Sequence, residues 1–275
     1  MIFDLHSHST ASDGLLSPRE LIRRAAGQGV HTLALTDHDE VSGLAEAGVE
    51  AAAVGVRLIA GVEISTSWSN RTIHVVGLRV DTRHPTLTAG LADNRAGRDE
   101  RARRIGAALA KTGIGGAYEG AYALAGNKAL VSRTHFARFL VERGHVKDVK
   151  TVFKKFLVKG KPGYVEHRWA GLADAVTWIR AAGGVAVLAH PGRYDIGSGK
   201  LDLLIEEFKA AGGAALEVVS GSHHPAQLPQ FADLAVRHGL LASVGSDFHA
   251  PGEGGRELGR LAPLPAGCTP VWADW

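Results

Sequence analysis

Histidine and carboxylate side chains follow short apolar runs at several points along the 275-residue chain. His6 and His8 close the first run, and because residues i and i+2 of a strand point the same way, both imidazoles can reach one ion. Gathering many such groups in an apolar interior would be unfavourable without a cation. The recurrence therefore predicts a metal site. Its candidate ligands are His6, His8, Asp13, His38, Glu63, His74, His190, Asp247 and His249.

The types of the candidate ligands narrow the choice of metal. Imidazole and carboxylate groups without a thiolate suit Mn²⁺, Zn²⁺ or Fe²⁺. One ion takes about four to six ligands, so this set predicts two or three divalent ions. Glu63 is the expected bridge, because its carboxylate has two oxygens to share. A single histidine at a strand end is more often an ordinary loop residue, so the prediction rests on the recurrence.

These side chains can meet only if the strands before them share one sheet edge. Apolar runs alternate with helical segments, which is typical of parallel βα units. A turn around Ser69 and Asn70 is expected to join two of the strands. Seven strands favour an α/β barrel, whose active site lies at the carboxyl ends of its strands. The predicted strands are 2–5, 32–35, 57–64, 73–80, 185–189, 215–219 and 241–244.

The middle of the chain follows a different pattern. Strand signals fade there, and Arg-rich and Ala-rich helical patterns predict a mainly helical insertion at 86–162. The barrel domain would comprise 1–85 and 163–275, and the insertion would contribute to the substrate pocket. The stretch 95–104 carries five arginines together with Asp99 and Glu100. This mixture predicts the solvated face of a helix and not a nucleic-acid-binding patch.

Composition limits the classes of protein that remain. A hydrophobic fraction of 45% is ordinary for a globular protein, and a net charge of +3 permits an anionic substrate without indicating a protein that coats nucleic acid. A lone cysteine, Cys268, indicates a reducing compartment. Neither a secretory leader nor a membrane span is recognisable, so a cytoplasmic protein is expected. The sequence indicates no obligate protein partner.

Seven segments of the chain resemble the motifs of a known family, the PHP (polymerase and histidinol phosphatase) family of metal-dependent phosphoesterases. The resemblance covers nearly the whole chain. The segments are DLHSH at 4–8, SDG at 12–14, LTDHD at 35–39, GVE at 61–63, HVVG at 74–77, AHPG at 189–192 and GSDFH at 245–249.

The resemblance implies a distorted (β/α)7 barrel with three metal ions at its mouth. Mn²⁺ is the expected ion, with Zn²⁺ or Fe²⁺ as alternatives. A hydroxide shared by two ions would be the nucleophile, since coordination lowers the pKa of water to roughly 7. The implied ligand sets are His6, His8, Glu63 and Asp247 for one ion, Glu63, His74 and His190 for a second, and Asp13, His38 and His249 for a third.

Segments 132–137, 160–165 and 191–194 resemble one subgroup of this family, bacterial nucleoside 3',5'-bisphosphate phosphatases that also trim the 5' ends of short RNAs. The implied reaction hydrolyses the 3'-phosphate and yields a nucleoside 5'-monophosphate and phosphate. Loop packing explains some of the substrate candidates equally well. The catalytic candidates are His135, Arg193 and Asp247, and the substrate candidates are Arg133, His135, Lys161, Tyr164, Arg193 and His223.

Several other functions are compatible with parts of the pattern. A 5'-3' exoribonuclease acting on short 5'-phosphorylated RNA needs the same chemistry. Histidinol phosphatase is a further option. Amidohydrolases also use His-x-His barrels, but the carboxylates Asp13, Glu63 and Asp247, without a strand-end lysine, favour a phosphoesterase. A metal-stabilised binding module without catalysis would be expected to lack some of the ligands. All nine candidate positions carry His, Asp or Glu in this chain.

Overall fold

A computed structural model describes residues 1–253 and 256–275, and its centre is a barrel-shaped sheet of seven strands. The order around the sheet is β1-β2-β3-β4-β6-β7-β8, and the short β5 pairs with the end of β3. The amide of Leu5 donates to the carbonyl of Val244 at 2.9 Å, which joins the two edges. The strands are β1 Phe3–Asp4, β2 Thr32–Leu35, β3 Arg57–Trp68, β4 Arg71–Leu78, β5 Ala170–Gly171, β6 Val185–Leu188, β7 Ala215–Ser220 and β8 Leu241–Gly245.

Ten α-helices accompany the strands in the described residues. The first begins as the sequence predicts, with Ser17 as N-cap, Pro18 in the first turn and Glu20 completing a capping box. The helices are α1 Pro18–Gly27, α2 Gly43–Val54, α3 Pro85–Ala96, α4 Arg98–Ala110, α5 Ala117–Leu124, α6 Arg133–Glu142, α7 Val149–Val152, α8 Leu172–Ala181, α9 Ser198–Ala210 and α10 Leu228–Arg237. The barrel prediction is confirmed, and among residues 1–253 and 256–275 no helix is long and apolar enough to cross a bilayer.

Strand β4 interrupts the parallel order of the sheet. It runs antiparallel to both β3 and β6. Ser69 and Asn70 have φ values of 46° and 57°, as in a two-residue hairpin turn. Such a turn leaves no room for the crossover helix that a parallel connection needs. The turn expected around Ser69 and Asn70 is therefore confirmed, and β3 extends five residues beyond Glu63 into the hairpin.

The central segment is helical, but its helices pack in two places. Leu87 and Leu91 of α3 pack in the hydrophobic core beside the barrel, with Ile179 of α8. Helices α4 to α7 surround a separate hydrophobic cluster that includes Leu109 and Phe136. The division at 86–162 stays a prediction, and the packing assigns α3 to the wall of the barrel.

Candidate active site

The nine candidate ligands converge at the mouth of the barrel. Most follow the strand ends, as the sequence predicts, but Glu63 and His74 lie within the long hairpin strands β3 and β4. Glu63 is fully buried at the centre of the group. Its Oε2 lies 3.3 Å from Nε2 of His6 and 3.3 Å from Nε2 of His8. The hairpin therefore carries a carboxylate into the space between the strand ends.

The first ligand set proposed from the sequence forms one compact group. His6, His8, Glu63 and Asp247 each offer one ligand atom, and these atoms all lie within 4.8 Å of one another. Nε2 of His8 is 3.3 Å from Oδ1 of Asp247. A group of this size and donor composition can hold one divalent ion.

Two further groups share residues with the first. His8, Asp13, His38 and His249 form one, and His38, Glu63 and His74 form the other. His38 and His8 thus stand between neighbouring groups, whereas the sequence-based partition assigns each to one ion. Oε1 of Glu63 is 2.8 Å from Nδ1 of His74 and Oε2 is 2.9 Å from Nδ1 of His38.

His190 lies on the same side of the cluster as His74. Its Nε2 is 2.9 Å from Oε1 of Glu63 and 3.3 Å from Nδ1 of His74. The two oxygens of Glu63 therefore face different histidines, with Oε1 toward His74 and His190 and Oε2 toward the others. This is the geometry required of a bridging carboxylate.

The unpartnered atoms of the cluster fit a cation. Buried atoms without a hydrogen-bond partner include Nε2 of His6 and His8 and carboxylate oxygens of Asp13, Glu63 and Asp247. A buried acceptor without a donor is unfavourable, and these atoms converge on common points. Divalent ions placed among them would satisfy several lone pairs at once. The residues present therefore fit divalent metal binding.

The protonation states agree with that fit. Burial alone would raise the pKa of Glu63, but the surrounding histidines overcome burial and hold it well below its usual value. Asp13 and Asp247 behave in the same way. Burial, and then the neighbouring His249, lowers the pKa of His8 to about 3. The carboxylates are ionised and His8 is neutral at neutral pH, as metal ligands must be. The same carboxylates overcome burial and raise the pKa of His6, His38 and His249, so these rings would release a proton when an ion binds.

Glu217 is a functional residue that sequence reasoning missed. Its Oε1 lies 3.1 Å from Nδ1 of His6, and its Oε2 accepts a hydrogen bond of 2.6 Å from the backbone of His190. A carboxylate behind a ligating histidine fixes the orientation and tautomer of the ring. The available signal was a glutamate in the otherwise apolar strand β7, where every residue is buried.

Asp37 positions the loop that carries Asp13. Its Oδ1 accepts hydrogen bonds of 2.7 Å from the amide of Ser9 and 2.6 Å from the hydroxyl of Ser12. Burial raises the pKa of Asp37 to about 6. The aspartate stands in the motif TDHD at 36–39, directly after β2, but the sequence alone did not separate its role from that of His38.

Three of the six non-glycine residues with a positive φ in the described parts of the chain lie at the cluster. Asp39, His190 and Asp247 have φ values of 50°, 27° and 54°, in a region that non-glycine residues rarely adopt. Such conformations persist where the surrounding contacts determine them, and they cluster at functional sites. The strain lies on the residues that carry or adjoin the cluster.

Arginines line a cavity beside the cluster. Arg98 is 4% and Arg101 is 8% exposed, so the expectation of a solvated helix face is wrong for this part of α4. Positions i and i+3 lie on one helix face, and here that face turns toward the barrel mouth. Arg103 and Arg104, on the other side, are exposed as predicted. The sequence could not show which side of α4 would be covered.

The two buried arginines differ in their partners. Arg98 forms an ion pair with Asp39. Within residues 1–253 and 256–275, Arg101 has no carboxylate at ion-pair distance, and its Nε is buried without a partner. The guanidinium groups of Arg98 and Arg101 lie 4.6 Å and 5.2 Å from the ring centre of Trp169. Burial, followed by Arg133 and Arg98, lowers the pKa of Arg101 to about 9, so it stays charged at neutral pH.

We call this space the basic cavity. It has a volume of about 60 Å³ and is lined by Arg98, Arg101, Arg133, Arg193 and Trp169 together with His38, His74 and His249 of the cluster. Arg193 also donates to Oδ2 of Asp247 at 2.7 Å. The cavity therefore places unneutralised positive charge next to the candidate metal ligands, which suits an anion.

His135 is buried at the start of α6, and its Nδ1 accepts a hydrogen bond of 3.0 Å from the amide of Ser132. Burial lowers the pKa of His135 to about 4. The ring is therefore neutral at neutral pH, and its role as a catalytic or substrate-binding residue stays a prediction. A structural role at the start of the helix explains its position.

The other substrate candidates differ in their relation to the basic cavity. Tyr164 is half-buried and lies near Arg101 and Arg133. Lys161 is exposed and does not belong to the lining of the basic cavity. His223 uses both ring nitrogens, one toward the carbonyl of Val218 and one accepting the amide of Gly192. It supports the turn that carries Arg193.

Comparison with known proteins agrees with this geometry. The PHP domain family model matches residues 4–166, which is more than half of the chain. The chain belongs to the PHP family. It is 55% identical over 271 residues to a 3',5'-nucleoside bisphosphate phosphatase from Chromobacterium violaceum, covering 98% of this chain and 95% of that protein.

Two more proteins are similar over nearly their whole length. The 5'-3' exoribonuclease Rnm of Salmonella typhimurium is 48% identical, covering 100% of this chain and 94% of that protein. A solved structure of an amidohydrolase from Chromobacterium violaceum, with bound sulfate and no metal, matches with a TM-score of 0.96 and 54% identity, covering 99% of this chain and 95% of that one.

Proposed function

We propose that the chain is a metal-dependent phosphoesterase that hydrolyses the 3'-phosphate of nucleoside 3',5'-bisphosphates. The observation that carries the proposal is the junction between the buried histidine–carboxylate cluster and the basic cavity. A bisphosphate has one phosphate to be cleaved and a second phosphate that can be held at a fixed distance. The similarity to the phosphatase from Chromobacterium violaceum supports the same substrate.

The nine residues of the cluster are the proposed ligands of two or three divalent ions, with Mn²⁺ as the expected ion. Bound ions would activate water and polarise the phosphoryl oxygens. Glu217 and Asp37 would keep the histidines and the Asp13 loop in place during turnover. Glu63, with two oxygens facing different histidines, is the proposed bridge.

The arginines are the proposed phosphate-binding groups. Arg193 is about half exposed and pairs with Asp247, so it can donate to an oxygen of the phosphate at the cluster. Arg101 and Arg133 lie deeper in the basic cavity and would bind the 5'-phosphate. A guanidinium contacts two phosphate oxygens at once, and a buried one without a carboxylate partner is free to do so. Arg98 is held by Asp39 and would orient Trp169 instead.

The same charge distribution weighs against histidinol phosphate as the substrate. That molecule carries a cationic amine, which the arginines of the basic cavity would repel. An uncharged amide would leave these arginines buried and unpaired. A substrate that is anionic at both ends satisfies the site better.

A second activity, exonucleolytic cleavage of short 5'-phosphorylated RNA, is also proposed. The observation that favours it is a larger cavity of about 400 Å³ that shares Arg193 and His249 with the basic cavity. The similarity to the Rnm exoribonuclease supports it as well. Both activities break the bond between phosphorus and a 3'-oxygen, one nucleoside away from a 5'-phosphate.

The direct test measures phosphate release by the purified protein with Mn²⁺ present. Adenosine 3',5'-bisphosphate should yield adenosine 5'-monophosphate and phosphate. Adenosine 3'-monophosphate, which lacks the anchoring 5'-phosphate, should be hydrolysed at least about ten-fold less efficiently. No phosphate release from the bisphosphate would overturn the proposal. Equal turnover of the two nucleotides would remove the role given to the basic cavity.

A further inference from the structure

The first turn of α6 contacts one of the candidate metal ligands directly. Asp13 lies in the loop between β1 and α1, far from α6 in the chain. The hydroxyl of Ser132, the N-cap residue of α6, donates to Oδ2 of Asp13 at 2.8 Å. The guanidinium of Arg138, in the same helix, donates to the backbone carbonyl of Asp13 at 2.8 Å. Helix α6 therefore holds this loop by its side chain and by its backbone.

The two carboxylate oxygens of Asp13 have different surroundings. Oδ1 lies 3.3 Å from Nε2 of His249 and 3.9 Å from Nε2 of His38, inside the ligand group that also includes His8. It is buried, and among the described residues it has no hydrogen-bond partner. Oδ2 accepts the hydroxyl of Ser132. One oxygen is therefore available to an ion, while the other attaches the carboxylate to α6.

The hydroxyl of Ser132 has one proton, which it donates to Asp13. The same oxygen accepts the amide of Thr134 at 3.0 Å. A bond of this kind satisfies a free amide of the first turn and fixes where the helix begins. Ser132 is itself buried. A single hydroxyl thus joins the carboxylate of a candidate ligand to the start of α6.

Arg133 follows Ser132 in the chain and lines the basic cavity. Its guanidinium donates to the carbonyl of Leu157 at 3.4 Å and lies 5.6 Å from the ring centre of Phe153. Neither of these contacts is an ion pair, so the position of the guanidinium depends on the backbone that carries it. That backbone is the first residue of α6, directly after the cap.

We propose that Ser132 is a positioning residue that couples ion binding at Asp13 to the placement of Arg133 in the basic cavity. The inference rests on the proposed function, in which Arg133 binds the 5'-phosphate. When Oδ1 of Asp13 binds an ion, the carboxylate is fixed, and the bond from Ser132 extends this restraint to the first turn of α6. Coupling between two binding sites is reciprocal, so a 5'-phosphate at Arg133 raises the affinity for the ion in turn.

The experiment measures Mn²⁺ binding to the purified protein by calorimetry, with and without saturating adenosine 5'-monophosphate. This nucleotide has the 5'-phosphate but no 3'-phosphate to be cleaved, so the measurement needs no turnover. The readout is the Kd of each Mn²⁺ site and the ratio of the Kd without nucleotide to the Kd with it. In the wild-type protein the nucleotide should lower the Kd of the site at Asp13.

Ser132→Gly removes the hydroxyl and keeps a residue that is nearly as good an N-cap as serine. The Kd of one Mn²⁺ site should rise by about 10-fold, because a group that orients its ligand is lost. The ratio for that site should fall by at least about three-fold. The part of the ratio that comes from direct attraction between ion and phosphate should remain.

Ser17→Gly is the matched control, at the start of the helix that follows the Asp13 loop. The hydroxyl of Ser17 also accepts a first-turn amide and donates to a carboxylate, but both belong to Glu20, which is not a candidate ligand. Every Kd and ratio should stay at the wild-type value in this variant. An effect equal to that of Ser132→Gly would show that loss of a helix cap is sufficient, and it would overturn the inference.

Two further results would overturn the inference. One is a variant of Ser132 that binds Mn²⁺ more weakly but keeps the wild-type ratio. The other needs no variant, and so holds even if Ser132→Gly does not fold: a wild-type protein whose Mn²⁺ affinity does not respond to adenosine 5'-monophosphate. The proposed function fails separately, when the wild-type protein releases no phosphate from adenosine 3',5'-bisphosphate.

Discussion

The ligand cluster and the basic cavity lie side by side but are built in different ways. The cluster is formed by residues on or just after the strands of the barrel, with the ligands held by carboxylates such as Glu217. The arginines of the basic cavity come from α4, from the start of α6 and from the turn after β6. The strands determine the reactive centre, and the helical segment and loops determine which anion reaches it.

Because of this difference, we expect the cluster to govern the reaction and the basic cavity to govern the choice of substrate. Strand ends in a barrel are fixed by the hydrogen bonds of the sheet, so ligands placed there keep their geometry. The arginines depend on how the segment from α4 to α7 packs against the mouth of the barrel. Changes in the cluster should therefore abolish all activity, whereas changes in the basic cavity should alter which phosphoester is preferred.

The largest effect is expected at Asp247. Asp247→Asn removes a charge from the first ligand group and keeps a side chain that tolerates a φ of 54°. The kcat/KM for the bisphosphate should fall at least about 1,000-fold, because an ion would lose a ligand and Arg193 its partner. Steady-state kinetics with Mn²⁺ provide the measurement. Asp233→Asn, at an exposed aspartate of α10, is the control, and near-normal activity in Asp247→Asn would contradict the site.

The next effect tests the basic cavity by comparing two arginines of one helix. Arg101→Ala should lower kcat/KM for the bisphosphate by about 10- to 100-fold, because a buried charge-assisted contact to the 5'-phosphate is lost. It should change turnover of adenosine 3'-monophosphate much less. Arg104→Ala, exposed on the same helix, should have little effect on either substrate. Equal losses on both substrates would show that the cavity does not distinguish them.

Glu217 offers a smaller change within the cluster. Glu217→Gln keeps the shape of the side chain but weakens its hold on the ring of His6. The affinity for Mn²⁺, measured by calorimetry, should fall by about 10- to 100-fold. Glu206→Gln, at an exposed residue of α9, should bind Mn²⁺ normally. An unchanged affinity in Glu217→Gln would mean that β7 does not support the ligands.

The smallest effect is expected at His135. Its pKa of about 4 is below the usual value, so the ring is charged only below that pH and is neutral throughout the assay range. His135→Asn, whose side-chain oxygen can still accept the amide of Ser132, should keep the shape of the pH profile of kcat/KM between about pH 6 and pH 9. Loss of the alkaline limb in this variant would identify His135 as a proton donor in the reaction.

The sequence predicted the barrel and identified the residues that cluster at its mouth, because each of them lies in or near a recognisable apolar run. It also predicted the turn at Ser69 and Asn70 that joins β3 to the antiparallel β4. It missed Glu217, since a single glutamate in a mainly apolar strand gives no indication of its partners. Those partners, His6 and His190, lie far from Glu217 in the chain.

The sequence by itself determined the composition of the candidate metal centre. The spacing of His, Asp and Glu after apolar runs is a local feature, and a barrel gathers strand ends whatever the intervening loops are. Only the tertiary structure decided which arginines in 95–104 are buried and which are exposed. The same helical pattern is compatible with either face being covered, and the packing of α4 buries Arg98 and Arg101 while Arg103 and Arg104 stay in solvent. Burial depends on what packs against a helix face. The spacing of residues within the helix carries no information about that partner.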